Sequence, residues 1–289
     1  MAQPIDLSGG GPVEITARDG IEWRRDENVV IARGNAQAVR EGVTINADRL
    51  IARYRPKSGT QPQQPAARSQ DPSAMSGASE IYRVEAEGNV VIFTDTDRAT
   101  GDRAVYDIDQ AVMVMTGRDL SLTTPDQHLS ARDSLEYWSA RRMAVARGEA
   151  VVTTSEDRTI RADVLVGYFR PADAPAQPAA GGAQPRETNK VDRVEAFGNV
   201  EVRTQEEVLR GDRGFYVPDQ QIARVAGNVR ITRGQNQLNG SLAETNMKTG
   251  VSRLLAGPGA RVQGMIIQEE GGLPAPGPQP TGVPQGRRR

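Results

Sequence analysis

Six glycines recur in one local frame: Gly34, Gly88, Gly117, Gly148, Gly198 and Gly227. The clearest copies read Val84-Glu85-Ala86-Glu87-Gly88-Asn89-Val90 and Val194-Glu195-Ala196-Phe197-Gly198-Asn199-Val200. The step is 29 residues from Gly88 to Gly117 and from Gly198 to Gly227, and 31 from Gly117 to Gly148. A second small residue follows each anchor: Ala47, Gly101, Ala131, Ala162, Gly211 and Gly240. In four of these an Asp comes next (Asp48, Asp102, Asp163, Asp212). A chain with this period stacks one supersecondary unit many times and does not enclose one compact active site.

Around each anchor apolar residues alternate with charged ones. Val84, Ala86, Val90 and Ile92 share one parity, as do Val194, Ala196, Val200 and Val202, and Val225, Val229 and Ile231. Arg83, Glu85, Glu87, Arg193, Glu195, Arg224 and Arg230 occupy the other. Such alternation is a half-buried β-strand. Glycine weakens a strand interior, so its recurrence there points to a bend or a close backbone approach. The inward set also takes in Val30, Ala32, Ala36, Ala38, Ile45, Met113 and Met115.

A second strand follows each anchor strand: Val43 to Tyr54, Ala99 to Tyr106, Ile160 to Phe169 and Leu209 to Tyr216. Its apolar parity switches midway, Ile45 and Ala47 giving way to Leu50, Ala52 and Tyr54 after an odd step. That is the mark of a β-bulge or corner. Each unit is therefore a bent hairpin closed by a short polar turn such as Thr94–Arg98 or Ser155–Arg158. Degenerate units cap the ends: Val13–Ala17 with Ile21 and Trp23, and Val251–Leu255 followed by Arg261–Ile267. The expectation is one elongated all-β domain over residues 12–268 with about 14–16 antiparallel strands and no amphipathic helix.

Composition narrows the function. A formal net charge of −1 and 4% aromatic residues disfavour nucleic acid. No apolar run approaches a membrane-spanning helix. The absence of cysteine excludes disulfides and thiol chemistry. The opening Met-Ala-Gln-Pro carries no apolar signal segment and reads as an initiator placed before an exported chain whose leader has been removed.

Three stretches break the rhythm. Residues 56–79 and 171–188 are rich in Pro, Ala, Gln, Ser and Gly, and 271–289 is Pro/Gly-rich and ends in Arg287-Arg288-Arg289. None can bury enough apolar surface to offset its ordering entropy, so each is expected to be disordered. The first two would be loops at unit ends, since the beat resumes after them.

No catalytic residue, metal site or cofactor site is expected. The Asp-Arg pairs (Asp48-Arg49, Asp97-Arg98, Asp102-Arg103, Asp212-Arg213) point to opposite faces of a strand and read as corner hydrogen bonding. His128, beside Pro125 and Asp126, reads as a turn residue. Glu206-Glu207 and Glu269-Glu270 lack calcium-loop spacing. Met113, Met115 and Trp138 read as packing. Periodicity leaves two readings of the inward face open: a core that closes on itself with small residues, or an apolar slot that accepts alkyl chains. A structural β-solenoid scaffold with a filled core is the competing function.

Asn35 to Tyr54, and within it Gly42-Val43-Thr44-Ile45-Asn46-Ala47-Asp48-Arg49-Leu50, resembles the signature of the periplasmic lipopolysaccharide-transport bridge family, LptA, with its OstA-like domain. Pro12–Ala17 and Val30–Asn35 fit the strands that precede it, and the later Gly-Asn-Val repeats extend the likeness over most of the chain. The resemblance implies an elongated open β-jellyroll. It implies an apolar trough for lipid A acyl chains, lined by Val30, Ala32, Ile45, Val84, Ala86, Val90, Ile92, Met113, Met115, Val194, Ala196, Val200, Val202, Val225, Val229 and Ile231. It also implies head-to-tail assembly through Val13, Ile15 and Ala17 at one end and Val262 and Ile266 at the other. The implied partners are lipopolysaccharide, the inner-membrane anchor LptC, the outer-membrane assembly protein LptD and further copies of the chain, in the periplasm. The two insertions, the basic tail and the greater length depart from the family pattern.

Overall fold

The computed structural model describes residues 13–40, 42–56, 79–155, 157–170, 191–249, 251–257 and 261–265. Of the expected loop 56–79 only Pro56 and Ser79 are described, and they pair as the ends of neighbouring strands; the expected loop 171–188 and the tail 271–289 lie outside these residues.

The described chain is one antiparallel sheet of eighteen strands. Ten are long: β3 (Val29–Arg40), β4 (Val43–Pro56), β5 (Ser79–Phe93), β6 (Arg98–Asp107), β11 (Met143–Thr154), β12 (Thr159–Phe169), β13 (Val191–Arg203), β14 (Val208–Val217), β15 (Ile222–Arg233) and β16 (Asn236–Asn246). The other eight lie end to end in pairs: β1 (Glu14–Thr16) with β2 (Gly20–Arg24), β7 (Val112–Thr116) with β8 (Leu120–Thr123), β9 (Gln127–Ala131) with β10 (Ser134–Trp138), and β17 (Val251–Leu255) with β18 (Gln263–Met265). Each pair fills one level of the sheet, so ten long strands and four split ones make fourteen rungs in sequence order. Pairing runs rung to rung without a crossover. At the ~4.8 Å spacing of paired strands the stack is roughly 60 Å long. The expected count of strands is thus met by rungs, and the larger number of strands comes from the four splits. Beyond strands, the described residues contain one short 3-10 turn, Ser139–Arg141.

The five long rungs that carry an anchor glycine, β3, β5, β11, β13 and β15, each bulge at it. Register slips in β3 between Arg33 and Ala36, in β5 between Glu87 and Val90, and in β13 between Phe197 and Val200, so that Gly34-Asn35, Gly88-Asn89 and Gly198-Asn199 each face one residue of the next strand. Both residues of each bulge are left-handed, for example Gly88 at φ +78° and Asn89 at +48°. This backbone is open to Gly and tolerated by Asn, which explains the Gly-Asn dipeptide. The extra residue sits in the anchor strand, and the odd step in β4 from Ala47 to Leu50 is the partner's response to it.

The bulges divide the sheet into two arms. Hydrophobic residues from both arms share one cluster: Ala32, Leu50, Ala86 and Met115 from one, Ala36, Ile45, Val90 and Leu120 from the other. The sheet is therefore folded along the line of bulges with its apolar face inside. All strand pairing is antiparallel, which excludes the parallel coils of a β-solenoid.

Candidate functional site

The fold line is built from a repeated contact. A Cβ placed on Gly34, Gly88, Gly148, Gly198 or Gly227 would lie less than 2.5 Å from the carboxyl of Asp19, Asp48, Asp133, Asp163 or Asp212 respectively, and one on Gly117 would strike Asp102. The bulge Asn then donates to the same carboxylate: Asn89 Nδ2 to Asp48 Oδ2 at 2.9 Å, Asn199 Nδ2 to Asp163 Oδ2 at 3.0 Å and Asn228 Nδ2 to Asp212 Oδ2 at 2.8 Å. At Gly117 the backbone N–H of Arg118 donates to Asp102 Oδ2 at 2.9 Å, which with the Arg118 guanidinium holds that carboxyl below its usual range. The Asp of each small-Asp pair thus clamps the corner of the next rung, and hydrogen bonding at corners is what the Asp-Arg pairs do at these positions.

Inside the fold, the row of side chains next to the bulges forms a closed seam. Ala32, Ala86, Val90, Met115, Ala196, Val200, Val225 and Val229 are all buried there. The second row out is uneven. Ile45, Ile92 and Met113 are buried, whereas Val30, Val84, Val194, Val202 and Ile231 are partly exposed. The residues expected to line a trough are therefore brought onto one face, but they divide into a filled seam and a wall. Tyr106, Leu120 and Ala104 also belong to this face. The Tyr106 parity in β6 signals this in the sequence.

At the ends, β1 and β2 pair only with β3, and β17 and β18 only with β16, among the described residues. Val13, Ile15 and Ala17 pack partly buried against the first cluster. Val262 is exposed, and Ile266 lies outside the described residues. Among the described residues six large hydrophobic residues are exposed, and five of them (Ile21, Val251, Leu255, Val262 and Met265) sit on or beside these end strands. The sequence reading places Ile21, Val251, Leu255 and Met265 in the end units without singling them out as exposed edge residues.

Glu85 lies on the outer face, on the parity opposite Val84 and Ala86. Glu85 is 5% exposed. It accepts from Arg53 Nε at 3.0 Å, Arg83 Nε at 3.1 Å and Arg103 Nη2 at 2.7 Å. Burial pushes its carboxyl up, but the hydrogen bonds of Arg53 and Arg103 and the charges of Arg83 and Arg53 outweigh that and hold it below the usual range. Glu136 is held down in the same way, burial being outweighed by Arg147, Trp138 and Ser134. Asp97, in the β5–β6 turn, is instead raised by burial. His128 lies in β9, opposite Thr123, with Nδ1 3.0 Å from the Thr123 hydroxyl, one step inside the strand and not in the turn. No group of three or more His, Asp or Glu able to hold a metal occurs among the described residues. No helix of the described chain is long and apolar enough to cross a membrane.

Against known families, residues 14–137 and again 132–251 match the model of the LptA/(LptD N-terminal domain) LPS transport protein family. The chain belongs to that family. The LptA/LptD N-terminal family is one of LPS transport proteins and not of enzymes. An uncharacterised protein of Rhizobium meliloti (strain 1021) is 24% identical over 121 residues, which is 42% of this chain and 58% of the relative. The matched part thus spans under two thirds of that relative's length. Among solved structures, LptH from Pseudomonas aeruginosa, described as the LptA homologous periplasmic component of the conserved lipopolysaccharide transport device, aligns at 14% identity with a TM-score of 0.38. The alignment covers 49% of this chain and 95% of LptH.

The double match has a structural counterpart: two LptA-like copies in tandem. Ala17-Arg18-Asp19 returns as Ala131-Arg132-Asp133. In both, the two amides donate to the bulge of the next rung, Arg18 and Asp19 to Gly34 and Arg33, Arg132 and Asp133 to Gly148 and Arg147. Edge-to-face pairs at 6.3 Å recur as Trp23–Tyr54 and Tyr137–Phe169. The strands flanking residues 57–78, β4 and β5, correspond to β12 and β13, which flank residues 171–190. Across the junction β11 pairs with both β9 and β10, in the same antiparallel manner as rungs within a copy.

Proposed function

We propose that the chain is a periplasmic carrier of lipopolysaccharide, holding acyl chains against the inner face of the folded sheet and passing them along its length. One observation carries this reading: the family match runs from 14 to 251, over the same rungs whose inward apolar residues form three clusters, joined in turn by the partly buried Leu135 and Val202. The partly exposed wall, Val30, Val84, Val194, Val202 and Ile231, is the lipid contact. Alkyl burial contributes about 0.8 kcal/mol per methylene, so about ten buried methylenes supply roughly 8 kcal/mol. The exposed apolar residues and unpaired strands at both ends are the surface for head-to-tail strand addition, to further copies or to the membrane partners LptC and LptD. An adaptor that joins partners without carrying lipid would not need Val202 or Val194 to be accessible on the inner face.

The test is retention of purified lipopolysaccharide by the full chain. Val202→Glu is expected to abolish it while the far-ultraviolet circular dichroism stays unchanged. Retention by a folded Val202→Glu chain would overturn the reading.

A further inference from the structure

The two copies match rung for rung, yet their inner walls differ. In the first copy Tyr106 stands opposite Met113, and Met113 opposite Tyr137. The equivalent row in the second copy is Tyr216, Ala223 and Thr245. Tyr106 is buried at 4% exposure and Met113 at 8%, whereas Tyr216 and Ala223 are partly exposed. The same residue type at the same place is covered in one copy and open in the other, and the residue beside it is methionine where it is covered and alanine where it is open. Across the fold, Ile92 is buried at 1% while its counterpart Val202 is partly exposed. Large side chains fill the space between two packed sheets, and small ones leave it open.

Resting on the carrier reading above, we infer that the acyl chain resides in the second copy, around Val202 and Tyr216, and that Met113 with Tyr106 closes the inner face of the first copy beyond Val84 and up to Ile92. The two halves of this chain are then unequal stations, one held open and one closed by its own side chains.

The chain has no cysteine, so single cysteines report without background. Val202→Cys is expected to react readily with a maleimide. Purified lipopolysaccharide at ten times its dissociation constant slows that reaction about tenfold by occupancy. Ile92→Cys is expected to react slowly, with lipopolysaccharide leaving its rate unchanged. Adding Met113→Ala to Ile92→Cys accelerates alkylation and brings protection by lipopolysaccharide. In the reverse swap, Ala223→Met slows Val202→Cys in the lipid-free chain, and this arm stands even where Met113→Ala impairs folding. Equal protection of both cysteines, or protection of Ile92→Cys alone, overturns the two-station inference but leaves lipid carriage intact. An unchanged Val202→Cys rate on adding Ala223→Met does the same. Protection of neither cysteine in folded proteins overturns the carrier reading itself.

Discussion

Asp48 lies so close over Gly88 that a Cβ built on the glycine would be 2.3 Å from the carboxylate oxygen Oδ2. The two belong to adjacent rungs, and Asn89 completes the clamp with its hydrogen bond to the same oxygen. The contact fixes where the sheet folds, and it recurs along the fold line.

Gly88→Ala forces an L side chain into φ +78° and onto Asp48. The expected loss is about 1–3 kcal/mol, seen as a lower midpoint in urea unfolding. Asp48→Ala removes the obstacle, so the double variant should lose less than the two single losses combined. Additivity in that cycle would show that the clamp is not what makes glycine necessary.

Glu85 links three arginines from three rungs. Its folded pKa is depressed, so the stability it contributes is complete above the unfolded carboxylate pKa and is lost as pH falls through the lower, folded value. Glu85→Gln should cost about 1–3 kcal/mol at neutral pH, and the gap to the parent should close below about pH 4. Melting curves across that range decide it. A gap that persists into acid would mean the carboxylate is not the source.

Val200 and Val202 are neighbours in parity with opposite fates. Val200 is 1% exposed, in the seam, so Val200→Glu buries an unpaired charge and should unfold the chain, at about 3–5 kcal/mol. Val202→Glu should fold and fail to bind lipid. Calorimetry on the pair separates seam from wall. Equal melting temperatures for the two would remove the distinction.

The end strands should govern association. Val251→Lys with Leu255→Lys places charge on β17, whose outer edge is unpaired among the described residues. Light scattering should show the variant monomeric at concentrations where the parent forms chains. Association that does not change would move the interface elsewhere.

Much of this architecture can be read from the chain. The glycine beat marks the fold line because the left-handed bulge backbone admits few residue types. Period-two alternation assigns Val84, Ala86, Val90 and Ile92 to one face because successive side chains point to opposite sides of a strand. The tandem is legible too, in Ala17-Arg18-Asp19 and Ala131-Arg132-Asp133, but the shorter beat of the single hairpin masks it.

What the sequence alone settles is therefore which residues face inward and where each rung turns, since both follow from local backbone geometry. Only the tertiary structure decides how far the two arms converge, because that depends on side chains from rungs distant in sequence. Ile92 and Val202 carry the same parity and nearly the same chemistry, yet one is sealed and the other reachable. Likewise Asp48 meets Gly88 across the 57–78 segment, a contact no local pattern encodes.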